Sequence, residues 1–457
     1  MTTTDNKTEG VSLLLGDPKR AVLKLSIPMI IAMVINSLYS LIDGIWVAGL
    51  GDMALAAVGF VTPLYMIVFG FSNGIGSGAT AVISKYIGAK NKKEADNAAI
   101  HVILLTIILT ILFTLILLIF LKPILLVLGA GPTVDLAMDY GNVLFLGTIF
   151  IVFSSTSYGI LRAEGNVKKT TYAMLFGAIL NMVLDPIFIY YLGLGVSGAA
   201  YATILSMCLV CLLIVYWFLK DTYIKFNIKD FIYENKIIKE LLNVGIPAGV
   251  EFMFISLLAI ALNAILMIVS GVDGVTIYTG GWRVVAVLMV IPIAIGMSVM
   301  AISGANLGAR KFDNIDIAHN YAIKIGTLIM VIISIAVFIL APYISYLFAY
   351  TPQTAHILPQ MTEFLQITCV FYIFFPLGVI STSTFQGLGK GMNSLIVAFI
   401  RAVLLQIIFS YIFAVILNLG QTGVWYGIIF GNAAGAIIAY IWSKHYIKSL
   451  EEKEEII

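Results

Sequence analysis

The sequence predicts an all-α integral membrane protein, with twelve transmembrane helices in two pseudo-symmetric six-helix bundles around a central cavity. Three observations carry that prediction. The 457 residues are 61% hydrophobic and only 11% charged, whereas a soluble domain carries about 25% charged residues. Twelve stretches approach the length and apolarity that crossing a bilayer requires, about 20 residues each. Of the 26 lysines and arginines, 24 fall on one side of the resulting map, so the helix count and the charge pattern support each other.

The spans run roughly over 22–49, 54–83, 97–121, 133–161, 170–192, 196–219, 240–270, 275–304, 315–341, 355–384, 393–418 and 422–447. Before them lies a polar tail, 1–21, without the apolar core and small-residue site of a cleavable signal peptide. The basic residues lie in that tail and just past it at Lys24, in 84–93, 162–169, 220–239, 310–324 and 390–401, and from Lys444 into the tail 448–457; on the other side only Lys122 stands in a loop, and Arg283 lies within a span. The positive-inside rule therefore predicts a multi-pass protein of the plasma membrane with both termini cytoplasmic. The longest internal polar stretch, 220–239, reads as an amphipathic linker on the membrane surface, joining bundles 22–219 and 240–447.

The two bundles repeat. IGAKNKK at Ile87–Lys93 returns as LGARKFD at Leu307–Asp313, and Ile27-Pro28 returns as Ile246-Pro247. SGAAYAT at Ser197–Thr203 returns as TGVWYGI at Thr422–Ile428, and LRAEGN at Leu161–Asn166 more weakly as FQGLGK at Phe385–Lys390. Each half has an even number of spans, so the repeat is parallel, and rocking of one half against the other predicts alternating access.

Charges inside the spans are few. Asp43 is the only one between Lys24 and Asp52, and Asp185 the only one between Lys169 and Lys220. A carboxylate at such depth costs roughly 2.5–3.5 kcal/mol on insertion scales and marks a functional site by default. Both acids sit in the outer part of outward-running spans, and Asn181, four residues before Asp185, shares its helix face. A structural acid bonded to backbone at a kink is the alternative for Asp185, since Pro186 follows it. Glu251 and Arg401 read as a structural ion pair, with a second coupling site as the alternative; Arg283 reads as a snorkelling charge or a partner of Asp273, and Glu164 as part of a cytoplasmic turn rather than of a cation path. Cys208 and Cys211 form a C-x-x-C inside an apolar span with no histidine nearby, and read as packing residues.

These features together, with the paired I/LGA(K/R) loops and the LRAEGNVKKT loop, resemble the multidrug and toxic compound extrusion (MATE) family, most closely its DinF-like archaeal and bacterial branch. The resemblance spans essentially the whole chain and is most specific at Pro28, Asp43, Tyr140, Asn181, Asp185 and Thr203. It implies a cation-coupled antiporter that exports amphipathic, often cationic compounds. Asp43, Asp185, Asn181, Thr203 and Tyr140 would bind the coupling ion and relay its binding to a bend of span 1 at Pro28. Oxygen donors of this kind suit a hard cation, so Asp43, Asn181, Asp185 and Thr203 would form the metal site if the ion is Na⁺. Two carboxylates in a water-poor pocket equally suit H⁺, because both cannot ionise unless a cation joins them. Tyr140 is otherwise an interfacial aromatic, Asn181 and Thr203 interhelical glue, and Pro28 a proline tolerated in a first helical turn. Asn36, Ser72 and Asn73 are weaker cavity candidates.

The repeat maps Asp43 to Leu262, Asn181 to Gln406, Asp185 to Ser410 and Thr203 to Ile428, so one ion site is expected, in the first half. No tightly bound cofactor is expected. Expected partners are the lipid bilayer and small amphipathic substrates, not nucleic acid, with the chain a monomer. A lipid or lipid-linked oligosaccharide flippase of related fold is the alternative, disfavoured by the few membrane-embedded basic residues. Enzyme chemistry lacks a constellation: the four histidines fall near span ends without an H-E-x-x-H pattern.

Overall fold

The computed structural model describes residues 8–347 and 355–455; positions 1–7 of the amino-terminal tail and 456–457 of the carboxy-terminal tail lie outside them. Among the described residues all regular structure is helical: α1 (Glu9–Leu14), α2 (Pro18–Ala48), α3 (Asp52–Gly88), α4 (Lys92–Val127), α5 (Val134–Leu146), α6 (Thr148–Ala163), α7 (Val167–Pro186), α8 (Gly195–Lys220), α9 (Asn235–Val269), α10 (Gly271–Gly308), α11 (Phe312–Tyr346), α12 (Leu358–Gly387), α13 (Gly391–Phe399), α14 (Leu405–Tyr411) and α15 (Gly420–Glu455). Eleven of the described helices or near-continuous helix runs are long and apolar enough to cross a membrane, and α5 with α6 makes a twelfth span as a bent pair.

Local chemistry sets the boundaries. Asp17 caps α2 by accepting a hydrogen bond from Arg20 N–H at 2.7 Å, with Pro18 in the first helical position. Asn91 caps α4 through Glu94 N–H at 3.2 Å. The fourth span is not the single helix expected over 133–161. It bends by 50° between α5 and α6. The break falls at Gly147, where a Cβ would lie 2.0 Å from Ile204 Cδ1, so the glycine lets α8 approach the backbone there. Proline ends the regular hydrogen bonding of α7: Pro186 is followed by a π-helical turn, Ile187–Tyr191. The eleventh span carries two such turns, Ile400–Leu404 and Ile412–Ile416.

The chain folds as two compact units. One comprises residues up to Val250 with Gly304–Arg310, and the other comprises Glu251–Ser303 with residues from Lys311 onward. The sequence repeat is visible in the backbone. Left-handed residues recur at Lys90 and Arg310, Gly165 and Gly389, Gly193 and Asn418, and Gly195 and Gly420. In the first unit, apolar cores form around Ile83, Val102 and Leu161 at the end bearing the basic loops, and around Val61, Leu121 and Phe145 toward the other end. The second unit is built on aromatics: buried Trp425 meets Phe364 edge-on at 4.6 Å and stacks on Tyr278 at 6.3 Å. Exposed Ile107, Ile111, Leu115 and Ile119 line one face of α4, as a lipid-facing helix requires.

Residues 221–234 lie within the expected linker. They form an irregular strap with one 3₁₀ turn, Ile228–Asp230, held by side chains of the first unit. Glu164 Oε2 accepts from Tyr223 N–H at 2.8 Å and Ile224 N–H at 3.2 Å, and Asp96 Oδ1 accepts from Lys225 N–H at 2.8 Å. His101 Nε2 accepts from Glu234 N–H at 3.0 Å, which leaves Nδ1–H to donate to Asn97 O at 2.9 Å. The backbone groups of a non-helical segment need such partners.

Candidate functional site

The site lies wholly in the first unit, where α2 packs against α7. Tyr39 and Asp43 are one helical turn apart on α2, and Asn181 and Asp185 one turn apart on α7, so each pair projects from one face. The two faces meet. The carboxyl groups of Asp43 and Asp185 stand within hydrogen-bond reach of each other. Asp185 is fully buried and Asp43 half-buried.

The Asn181 amide organises the cluster. Its satisfied orientation places its oxygen to accept from Thr203 N–H at 3.0 Å, while its nitrogen donates to Asp185 Oδ2 at 3.1 Å and to Tyr39 Oη at 3.2 Å. The opposite orientation turns its oxygen toward acceptors and leaves a 3.4 Å contact to Thr203 Oγ1. Thr203 spends its hydroxyl proton on Ala199 O at 3.0 Å and keeps its lone pairs free. Tyr140 from α5 and Tyr65 from α3 complete the wall, both within electrostatic range of Asp43. Tyr39 and Tyr65 escaped the sequence reading because a mid-span tyrosine has no local signature in a chain with 22 of them.

An apolar lid closes the end of the site away from the basic loops. Val47, Ile189 and Ala199 are buried there, with Trp46, Leu50, Val58 and Tyr140 packed on them. Tyr190 donates to Trp46 O at 2.5 Å, and its ring meets Trp46 edge-on at 6.2 Å. Gly49 makes room, since a Cβ there would lie 2.2 Å from the Tyr190 hydroxyl.

The donor set bears on which ion could sit there. Two carboxyl groups this close cannot both stay ionised in a water-poor site unless a proton or a metal cation joins them. The Asn181 oxygen is committed to a backbone N–H, so the carboxyl oxygens, the Thr203 hydroxyl and the tyrosine hydroxyls remain as side-chain oxygens for a metal ion. Among the described residues no third carboxylate, histidine or cysteine joins the pair.

Other expected residues lie elsewhere. Pro28 is internal to α2, which stays helical through it, and lies roughly 22 Å along the helix from Asp43 at 1.5 Å per residue. Asn36 is half-buried on the same helix. Asn73 turns back to its own helix, donating to Phe69 O at 3.0 Å, as Ser72 does to Val68 O at 2.6 Å. In the second unit the mapped positions hold no acid: Gln406 donates to Arg401 O at 3.0 Å and Ser410 to Val424 O at 3.3 Å, while Leu262 and Ile428 are buried.

The expected ion pair of Glu251 with Arg401 is replaced. Glu251 Oε1 accepts from Ser394 Oγ at 2.5 Å and its Oε2 from Gln386 Nε2 at 3.2 Å. Arg401 instead donates to Asn432 Oδ1 at 3.2 Å and lies over the Phe375 ring at 5.3 Å. Neutral donors satisfy the carboxylate and a π-helical turn aims the guanidinium elsewhere. Asp273 pairs with His356 at 3.2 Å rather than with Arg283, which is exposed.

A family model described as MatE matches residues 28–187 and 247–412. The multidrug export protein MepA of Staphylococcus aureus (strain N315) is 27% identical over 425 residues, covering 92% of both chains. A crystal structure of MATE in the straight conformation matches with a TM-score of 0.95 at 38% identity, covering 98% of this chain and 100% of that one. A crystal structure of MATE in the bent conformation matches at 0.92 and 38%, covering 98% and 99%. With both sequence repeats matched by the model and these structures aligned over nearly their full length, the chain belongs to the MatE family of membrane transporters, which are not enzymes.

Proposed function

We propose that this protein is a proton-coupled antiporter that expels amphipathic, often cationic compounds across the cell membrane by alternating access. The contact between Asp43 and Asp185 carries the proposal, since it needs one proton to hold and loses its attraction when that proton leaves. Similarity to MepA, a multidrug export protein, supports multidrug export. In this reading the bundles 22–219 and 240–447, joined by 220–239, work as a monomer with both termini cytoplasmic. Tyr140 and Thr203 line the ion site, and proton loss at the pair is transmitted along α2 to a bend at Pro28.

Proteoliposomes test it. A pH gradient or a Na⁺ gradient is imposed separately while efflux of a fluorescent organic cation is followed, for wild type, Asp43→Asn and Asp185→Asn. The expected result is efflux driven by the pH gradient in wild type and its loss in both variants, with folding retained. Efflux driven by Na⁺ alone would replace the proton with Na⁺ on Asp43, Asp185 and Thr203. Undiminished coupling in either variant would place the coupling site elsewhere.

A further inference from the structure

Arg162 is a charge that the transport reading does not use. It sits one residue before the basic end of α6, and only 4% of it is exposed. Its Nε has no hydrogen-bond partner, and the ionisable side chain that acts on it is the Tyr158 phenol rather than a carboxylate. The nearest acid in sequence, Glu164, gives one oxygen to the strap at Tyr223 and Ile224. An arginine keeps its charge even when buried, and an unpaired charge inside a bundle is costly. The fold nevertheless holds it firmly. α3 and α6 cross there in backbone contact: a Cβ on Gly159 would lie 2.2 Å from Gly76 O, and one on Gly76 would lie 3.7 Å from Arg162 Nη2. The Thr80 hydroxyl fastens the crossing, at 2.9 Å from Gly76 O and 3.0 Å from Gly159 O.

The ionisable groups that connect the guanidinium to the acid pair electrostatically are tyrosines. Asp43 is in electrostatic range of Tyr65, Tyr65 of Tyr158, and Tyr158 of Arg162. Buried hydroxyls without protein partners occur at the same end of the unit: Ser26 on α2, Ser157 on α6, and Thr170 and Thr171 on α7. Each lies within about 12 Å of the basic end of its helix at 1.5 Å per residue. Such groups are satisfied by internal water, and water with tyrosine hydroxyls makes a path along which protons move. A fixed positive charge on such a path repels them, as it does in water channels.

We infer that Arg162 insulates the acid pair from the basic end of the first unit, so that the coupling proton does not leak through the interior of the bundle. The inference rests on the proton-coupled reading above and adds a residue to it.

The test measures proton entry into proteoliposomes without substrate. A potassium–valinomycin potential drives it and an internal pH dye reports it. Arg162→Gln removes the charge, Tyr158→Glu neutralises it by pairing, and Arg162→Lys and Tyr158→Phe preserve it. Loss of one unit charge at this range, at an effective dielectric constant near 20, changes a barrier crossing by about tenfold or more. Proton entry should therefore rise about that much in Arg162→Gln and Tyr158→Glu, and stay at the wild-type level in the two charge-preserving variants. Adding Asp185→Asn to Arg162→Gln should abolish the rise. Folded Arg162→Gln or Tyr158→Glu protein as tight as wild type overturns the inference, and so does a leak that survives Asp185→Asn. Failure of the coupling reading is distinct, because it appears as undiminished coupled efflux in Asp43→Asn or Asp185→Asn alone.

Discussion

At the scale of single residues, an acid's meaning depends on what answers it. Asp43 and Asp185 are conspicuous in the sequence because no other charge lies near either, and the structure places them face to face. Their surroundings were less legible. Tyr39 takes the second N–H of the Asn181 amide, a role set by the facing of α2 and α7 and invisible in either helix alone. Glu164 reads from sequence as part of a turn, and its role as acceptor for the strap depends on residues some sixty positions away. Burial outweighs those two bonds and nearby Lys169, and pushes its carboxyl up to about 7 from 4.5. The folded state thus binds more protons than the unfolded chain between those values, and stability falls as pH rises through that window. Thermal unfolding in detergent should show a melting temperature that declines from pH 5 to pH 8 in wild type and a flatter profile in Glu164→Gln. An equal decline in the variant would assign the dependence to other groups.

At the scale of elements, the spans were readable because hydropathy and basic loops report the same topology. The exceptions come from contacts between elements. The fourth span looks continuous in sequence, yet Gly147 breaks it because Ile204 of α8 fills the space a side chain would take. The linker reads from sequence only as a polar, basic stretch, and its irregular path is set by Glu164, Asp96 and His101 of the first unit. Pro28 shows the reverse: a proline that deprives α2 of one backbone bond without ending it. Replacing it with alanine restores that bond and removes a penalty of up to about 3 kcal/mol in a helix interior. Pro28→Ala should therefore be at least as heat-stable as wild type while exporting a fluorescent cation several-fold more slowly. Wild-type export rates would remove the bend from the mechanism.

At the scale of the whole molecule, duplication gave both halves one scaffold and only the first an acid pair. The matched left-handed residues show how closely the backbones correspond, and the divergence lies in side chains: Gln406 and Ser410 stand where Asn181 and Asp185 would. Glu251 is the remaining acid of note, held by Ser394 and Gln386. Because neutral donors already satisfy it, Glu251→Gln should keep its pH-driven efflux while losing stability on the order of 1–3 kcal/mol, the value of hydrogen bonds to a charged group. Loss of coupling with stability intact would point to a second ion site. On the proton-coupled reading, the solitary pair also bounds what the pump can achieve. A couple that hands over one proton per turnover trades like for like when its cargo is a monovalent cation, so no net charge moves and voltage contributes nothing. The concentration ratio such a machine can sustain is then capped at about tenfold for each pH unit across the bilayer, and a cell that needs a steeper ratio must acidify its surroundings rather than raise its membrane potential.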